Sequence, residues 1–426
     1  MQDTAVHQAE LVLYFTLLQL TVVVLAGRLG SVLAVRWGQS AAVGEIIVGI
    51  LLGPSLFGLL APGAFDYVFH SVPGEPMQVL SQIGLILLMF QIGLEFDFGH
   101  LSEKRNRRAV LWVASAGLLL PFALGCGLGW WVAPFLGGEG HSPLATALFV
   151  GTAFSITALP ILGRIMMEFD LTQRPLGVIA ISAAAINDVV GWLLLALVTA
   201  LAVAQFQAGV FALNVAAVGL FAAVSWWGVR PLLKRLVRWG QGAPGAGVDA
   251  LPHTLLGVLL AAVFVAAMTT YKLGIFAIFG GFMLGVLLHD EHRLIAAWKE
   301  RMGAFVTVFF LPIFFTYTGL RTHIGGLDSP ELWGWCALVV GLACAGKFFG
   351  SYLAARHVGM PKAEAKVLGI MMNTRALMEL IVINVGYDLG VISQNLFTML
   401  VIMAIVSTVI TTPLIRRWLP QCGTRY

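Results

Sequence analysis

The apolar positions of this chain fall in long, nearly unbroken runs, neither the period-two alternation of a strand nor the narrow stripe of a soluble helix. Runs of about twenty residues cross the roughly 30 Å hydrocarbon core of a bilayer as helices. Thirteen are read, at 11–35, 41–60, 78–96, 109–133, 143–167, 175–202, 208–229, 253–271, 274–289, 302–320, 331–354, 364–386 and 394–415. The prediction is an all-α polytopic membrane protein of about 13 transmembrane helices. The pattern also repeats weakly: Gly44–Gly53 resembles Gly280–His289, in spans two and nine. Seven spans is an odd offset, so the two copies have opposite topology. Residues 1–240 are then a first inverted repeat plus a linker helix, 241–251 a cytoplasmic linker, and 252–426 a second repeat, a plan common among secondary transporters. Gly49/Gly53 and Gly281/Gly285 form GxxxG pairs, expected to let helices approach closely.

Composition agrees, and charge adds orientation. Of 426 residues 59% are hydrophobic and only 11% charged, against about 25% charged in soluble domains. Of the 25 Lys and Arg, 21 fall in alternate loops and the C-terminus. Such loops face the cytoplasm, so the N-terminus is expected outside and the C-terminus inside. Met1–Glu10 lacks the basic flank of a cleaved signal peptide, so the first span should stay in the mature chain. Cys126, Cys336, Cys344 and Cys422 have no metal-site spacing, and the three in apolar runs, Cys126, Cys336 and Cys344, read as packing residues. No P-loop, nucleotide fingerprint, HExxH or GxSxG occurs, so no cofactor is expected and the chain is read as a non-enzyme.

Against this apolar background, a few polar residues at mid-span carry the chemistry. Asp188 lies inside the run 176–202, where an ionised carboxylate costs several kcal/mol unless paired, hydrated or protonated. In span five, Pro160 cannot donate to Ile156, which opens the helix near Ser155 and Thr157. Freed carbonyls and hydroxyls there suit a small cation; the alternative is a proline kink with both hydroxyls bonded back to the previous turn. Span twelve holds Asn373, Thr374, Arg375 and Glu379. Arg375 and Glu379, four apart, can pair on one face, while Asn373 and Thr374 suit a second helix break opposite the first. Lys347 either pairs with Asp188 across the bundle or snorkels to the surface. Asn187 either tethers the broken helices or completes ion coordination. His289–His292 reads as a hydrated loop, with pH sensing as the alternative. Glu45 either lines an access funnel or caps packing, and Glu95 and Asp97 read as solvated.

Ser155–Arg164, Asn187–Trp192 and Asn373–Leu380, with Gly44–Pro54 and Gly93–Glu95, resemble signature stretches of the monovalent cation:proton antiporters. The resemblance is to the second such family, which includes plant cation/proton exchangers and bacterial potassium-efflux relatives. It implies a homodimeric transporter of monovalent cations and protons in a bacterial inner membrane, with two crossed discontinuous helices. It implies ion and proton binding at Asp188, with Asn187 beside it and Ser155 or Thr157 nearby, and a basic residue at Lys347. Asn187 replaces the first of two adjacent acids in electrogenic relatives, which implies one-for-one exchange unless Lys347 also titrates. Relatives with ligand-gated efflux carry a C-terminal nucleotide-binding domain, which is not expected here. The expectation is a Na⁺ or K⁺/H⁺ antiporter working by alternating access. A gated potassium channel and a non-transporting sensor or subunit are its rivals.

Overall fold

A computed structural model describes residues 2–39, 41–72, 74–95, 107–138, 140, 142–158, 162, 165–166, 169, 171, 174–203, 216–217, 219–241, 251–273, 277–375 and 377–422. Pro160 and most of the predicted linker, 242–250, lie outside them. Among the described residues there are no strands and fourteen α-helices of ten residues or more. In chain order these are α1 (Gln2–Arg36), α2 (Ala41–Leu51), α3 (Glu75–Leu94), α4 (Arg107–Leu136), α5 (Pro143–Ser155), α6 (Pro175–Val203) and α7 (Arg230–Gln241). They continue as α8 (His253–Lys272), α9 (Ala277–Leu287), α10 (Leu311–Leu320), α11 (Pro330–His357), α12 (Lys362–Met372), α13 (Leu377–Asp388) and α14 (Gln394–Trp418).

Seven described helices are long and apolar enough to cross a membrane, or eight if one bent pair counts as a span. Part of predicted span seven, 208–215 and 218, lies outside the described residues; of the other predicted spans, the described parts are shorter or divided. Span five becomes α5, which stops at Ser155, and span twelve becomes α12 and α13. A hydropathy window averages over such breaks, because the residues at the break are themselves weakly polar. The apolar surface the sequence promised is exposed: Leu13, Leu17, Leu25 and Leu29 lie at four-residue multiples along α1 and are all more than half exposed. Trp37, Trp130, Trp131, Trp227 and Trp239 are exposed near helix ends, the placement that indoles take at membrane interfaces.

The chain divides into two compact units, each assembled from three segments. One comprises Met1–Val24, Asp66–Asp97 and Ala204–Tyr317; the other comprises Leu25–Phe65, Phe98–Val203 and Thr318–Tyr426. In the first unit, α3 packs against α9 through glycine. A β-carbon on Gly285 would sit 2.2 Å from the Phe90 carbonyl oxygen, and one on Gly93 would sit 2.3 Å from that of Phe282. Beside them, the Phe90 ring meets Trp298 edge-to-face, centroids 4.7 Å apart.

The charged cluster 289–292 belongs to this unit. Among the described residues it forms no metal-binding group. Asp290 instead pairs with Arg230 at 3.0 Å and with Lys234, and Glu291 pairs with Arg238 at 3.1 Å. Burial alone would raise the Asp290 carboxyl, but the Lys234 hydrogen bond and the Lys234 and Arg230 charges hold it below the usual carboxylate range. Glu95 is exposed, as read from the sequence, and pairs at the surface with Lys299 at 3.2 Å; Asp97 lies outside the described residues.

In the second unit, Gly49 and Gly53 meet Gly319. A β-carbon on Gly319 would lie 2.1 Å from the Gly49 carbonyl oxygen, and one on Gly53 would lie 2.2 Å from that of Gly319. Glu45 is buried and pairs with Arg28, which favours its packing role. Both predicted GxxxG pairs therefore sit where backbones touch.

Gly285→Ala pushes a methyl group into the Phe90 carbonyl and is expected to destabilise by about 1–3 kcal/mol. Thermal unfolding of purified protein checks this; an unchanged Tm would mean the α3–α9 contact is slack.

Candidate functional site

The second unit is centred on two interrupted helices whose breaks meet. Helix α5 ends at Ser155, and Ile156 turns extended at φ −74°, ψ 146°. Helix α12 ends at Met372, with Asn373 at φ −80°, ψ 0°, before α13 begins at Leu377. The breaks are stitched directly: the Ala158 amide donates to the Thr374 carbonyl at 3.0 Å, and the Thr157 hydroxyl donates to the Met372 carbonyl at 3.3 Å.

A helix that stops inside a bilayer leaves its last carbonyls without intrahelical partners, and they carry roughly half a negative charge. At α5 two cations meet that need. Arg375 donates to the Ala153 carbonyl at 3.0 Å, the Phe154 carbonyl at 2.9 Å and the Ala343 carbonyl of α11 at 3.0 Å. It also pairs with Glu379 at 3.0 Å. The next carbonyl, of Ser155, accepts from the Lys347 ammonium. Arg375, Glu379 and Lys347 are almost completely buried. The sequence-predicted Arg375–Glu379 pair is thus present, within a larger network.

The position of Lys347 corrects both readings of it. It does not snorkel, being fully buried in the middle of α11. Nor does it form a direct ion pair with Asp188 among the described residues. It acts on that carboxylate electrostatically, at longer range, because its hydrogen bond goes to the helix-end carbonyl. The Ser155 hydroxyl donates back to the Thr152 carbonyl at 2.9 Å, which leaves its oxygen lone pairs as acceptors.

Asp188 lies on α6, 1% exposed, and neither carboxylate oxygen has a hydrogen-bond partner among the described residues. The same holds for both amide atoms of Asn187, for Ser351 Oγ, for Asn373 Oδ1 and for Thr374 Oγ1. Among the described residues Asn187 thus makes no hydrogen bond to either broken helix. Buried polar groups are nearly always satisfied, so these atoms stand out among the described residues of the unit. With these oxygens the unit offers carboxylate, amide and hydroxyl ligands suited to a hard monovalent cation.

Two residues escaped the sequence reading, and a third, Cys344, reads there only as packing. Ser351 lies one turn beyond Lys347 on α11. Gly117 of α4 faces it: a β-carbon there would sit 2.6 Å from Ser351 Oγ and 3.8 Å from Asn187 Nδ2. Cys344 accepts from Asn373 Nδ2 at 3.6 Å. Only the i, i+4 spacing of Lys347 and Ser351 is visible in the sequence; the other proximities come from helix packing.

Comparison with known proteins follows this geometry. A family model described as sodium/hydrogen exchanger, transmembrane, matches residues 20–420. The chain is 39% identical over 410 residues to the Na(+)/H(+) antiporter NhaS4 of Synechocystis sp., covering 96% of this chain and 98% of that protein. It is 37% identical over 402 residues to the Cation/H(+) antiporter 17 of Arabidopsis thaliana, covering 94% of this chain. It spans 48%, about half, of that plant relative's length. Among solved structures it superimposes on the sodium proton antiporter MjNhaP1 of Methanocaldococcus jannaschii with a TM-score of 0.60, 13% identity, and 95% and 97% of the two chains covered. At that identity the likeness shows the fold.

Arg375→Ala strips hydrogen bonds from three carbonyls and leaves Glu379 unpaired. Breaking a buried pair from one side costs about 3–5 kcal/mol, so the variant is expected to lose folded, monodisperse protein on size-exclusion chromatography. A variant as stable as the parent would show that the crossing is held by other means.

Proposed function

This chain belongs to the sodium/hydrogen exchanger family, and from that premise we propose that the proton and the cation it exchanges compete for Asp188. One observation carries the reading: a buried carboxylate with both oxygens unpartnered, beside a network in which every other buried acid or base has a partner.

Charge accounting supports competition. Arg375 and Lys347 are two buried cations, and Glu379 and Asp188 two buried acids. With all four ionised, the set is neutral. One proton on Asp188, or one Na⁺ or K⁺ against it, gives the same net charge of one. Carrying both would add a second charge to a low-dielectric region, which is costly. A site that accepts either guest but not both exchanges them obligatorily, one for one while Lys347 keeps its proton. Lys347 holds the Ser155 carbonyl, so that oxygen is free for an incoming ion only when the ammonium lets go. Thr157, at the break, and Asn187, next to Asp188 in the chain, are the neutral oxygen ligands of this reading.

Alternating access then requires the empty ionised form of Asp188 to cross less readily than either loaded form. We place the basic loops and the C-terminus on the cytoplasmic side of a bacterial plasma membrane, following the charge bias of the loops. A homodimer is the assembly the resemblance implies. The cation set, Na⁺ against K⁺, follows from cavity size and ligand number.

Proteoliposomes with an imposed pH gradient test this. Asp188→Asn is expected to abolish cation-dependent collapse of the gradient. In the parent protein the apparent cation KM is expected to rise as pH falls, approaching tenfold per pH unit while maximal rate stays constant. Cation flux without proton counter-movement would instead favour a channel. An active Asp188→Asn would remove Asp188 from the mechanism.

A further inference from the structure

Away from the crossing, the second unit contains a cavity of about 430 Å³, within the roughly 300–1,000 Å³ usual for small-molecule sites. Two helices begin at its wall, α6 at Pro175 and α12 at Lys362, and Arg108 of α4 lines it. Among the described residues its charged lining is Arg108, Arg174 and Glu364, and its apolar lining includes the buried Leu171, Leu176 and Ile179. Among the described residues, neither guanidinium makes a hydrogen bond or an ion pair. Helix α12 has Pro361 as its N-cap and no side-chain cap, so its first-turn amides keep their donor capacity.

Two guanidiniums against one carboxylate leave the lining net positive, and each helix start adds partial positive charge. A monovalent cation is repelled from such a cavity, which separates it from any cation path. A phosphate group suits it. The planar guanidinium fork matches phosphate oxygens, helix-start amides bind anions, and the leucine and isoleucine wall accommodates an attached apolar portion.

We propose that this cavity binds a phosphate-bearing anion through Arg108 and Arg174. The bound group joins the starts of α6 and α12. Asp188 lies thirteen residues into α6 from Pro175, about 20 Å along the helix axis, and α12 runs directly into Asn373 and Thr374. Occupancy would therefore stiffen both elements that lead to the crossing. That consequence rests on the Asp188 reading; the binding itself does not.

Two sources carry this chemistry, a soluble phosphate and a phospholipid headgroup. Equilibrium dialysis of radiolabelled inorganic phosphate against the purified full chain, at fixed ionic strength, tests the first. Phosphorus analysis of lipid retained after detergent washing, from phosphatidylglycerol vesicles, tests the second. For the source that binds, Arg108→Ala/Arg174→Ala is expected to weaken binding by about tenfold or more. Glu364→Gln, by removing the opposing negative charge, is expected to tighten it. Asp188→Asn is expected to bind like the parent, so a failure of the antiport reading leaves this result untouched. Both arginines are exposed, and if their double variant still misfolds, the gain in Glu364→Gln carries the test alone. Absence of binding from both sources overturns the proposal. So does an affinity that neither the arginine pair nor Glu364 alters.

Discussion

Everything at the centre of the second unit depends on one requirement: a helix that ends inside a membrane must have its last carbonyls satisfied by protein. At α5 that task falls to Arg375 and Lys347, which take the carbonyls of Ala153, Phe154 and Ser155 in sequence. At α12 it falls to Thr157 and the Ala158 amide. Each break supplies partners for the other, so neither is stable alone. The network explains why two buried bases are tolerated in so apolar a chain. Arg375 is tied at four acceptors and has little freedom. Lys347 has one hydrogen bond and a flexible stem, so it is the base that can move.

Against that satisfied network, Asp188 and Asn187 stand out. They lie on a continuous helix, at full burial, with no partner for either side chain among the described residues. A protein that satisfies so many helix-end carbonyls so thoroughly would be expected to satisfy a carboxylate too, unless its partner comes and goes. The same contrast divides the charged set: Arg375 and Glu379 are tied into the crossing, while Lys347 has a single hydrogen bond and Asp188 none among the described residues.

Much of this was legible before any coordinates. Asp188 is conspicuous because nothing else in its run is charged. Arg375 and Glu379 declare their pairing by spacing, and the glycine pairs at 49/53 and 281/285 mark contacts that the fold contains. What remained hidden depended on relations between helices. That Lys347 would hold a helix-end carbonyl instead of Asp188 or the surface requires knowing that α5 stops beside α11. Ser351 and Gly117 look like ordinary small residues of apolar helices until they are brought next to Asn187. The break after Met372 carries no proline, so its hydropathy reads as one uninterrupted span. The fold class and the exchanger family were readable from pattern and motif; the arrangement of partners was not.

The claim that a proton and a cation share Asp188 is tested most directly by counting protons released when the cation binds. Calorimetric titration of the purified protein with Na⁺ or K⁺, in buffers of different ionisation enthalpy, gives that count without any transport step. Competition at Asp188 predicts close to one proton released per cation bound at acidic pH. The count should fall toward zero as pH rises, and no release should occur in Asp188→Asn. Cation binding with no proton release at any pH, or unchanged release in the variant, would contradict it.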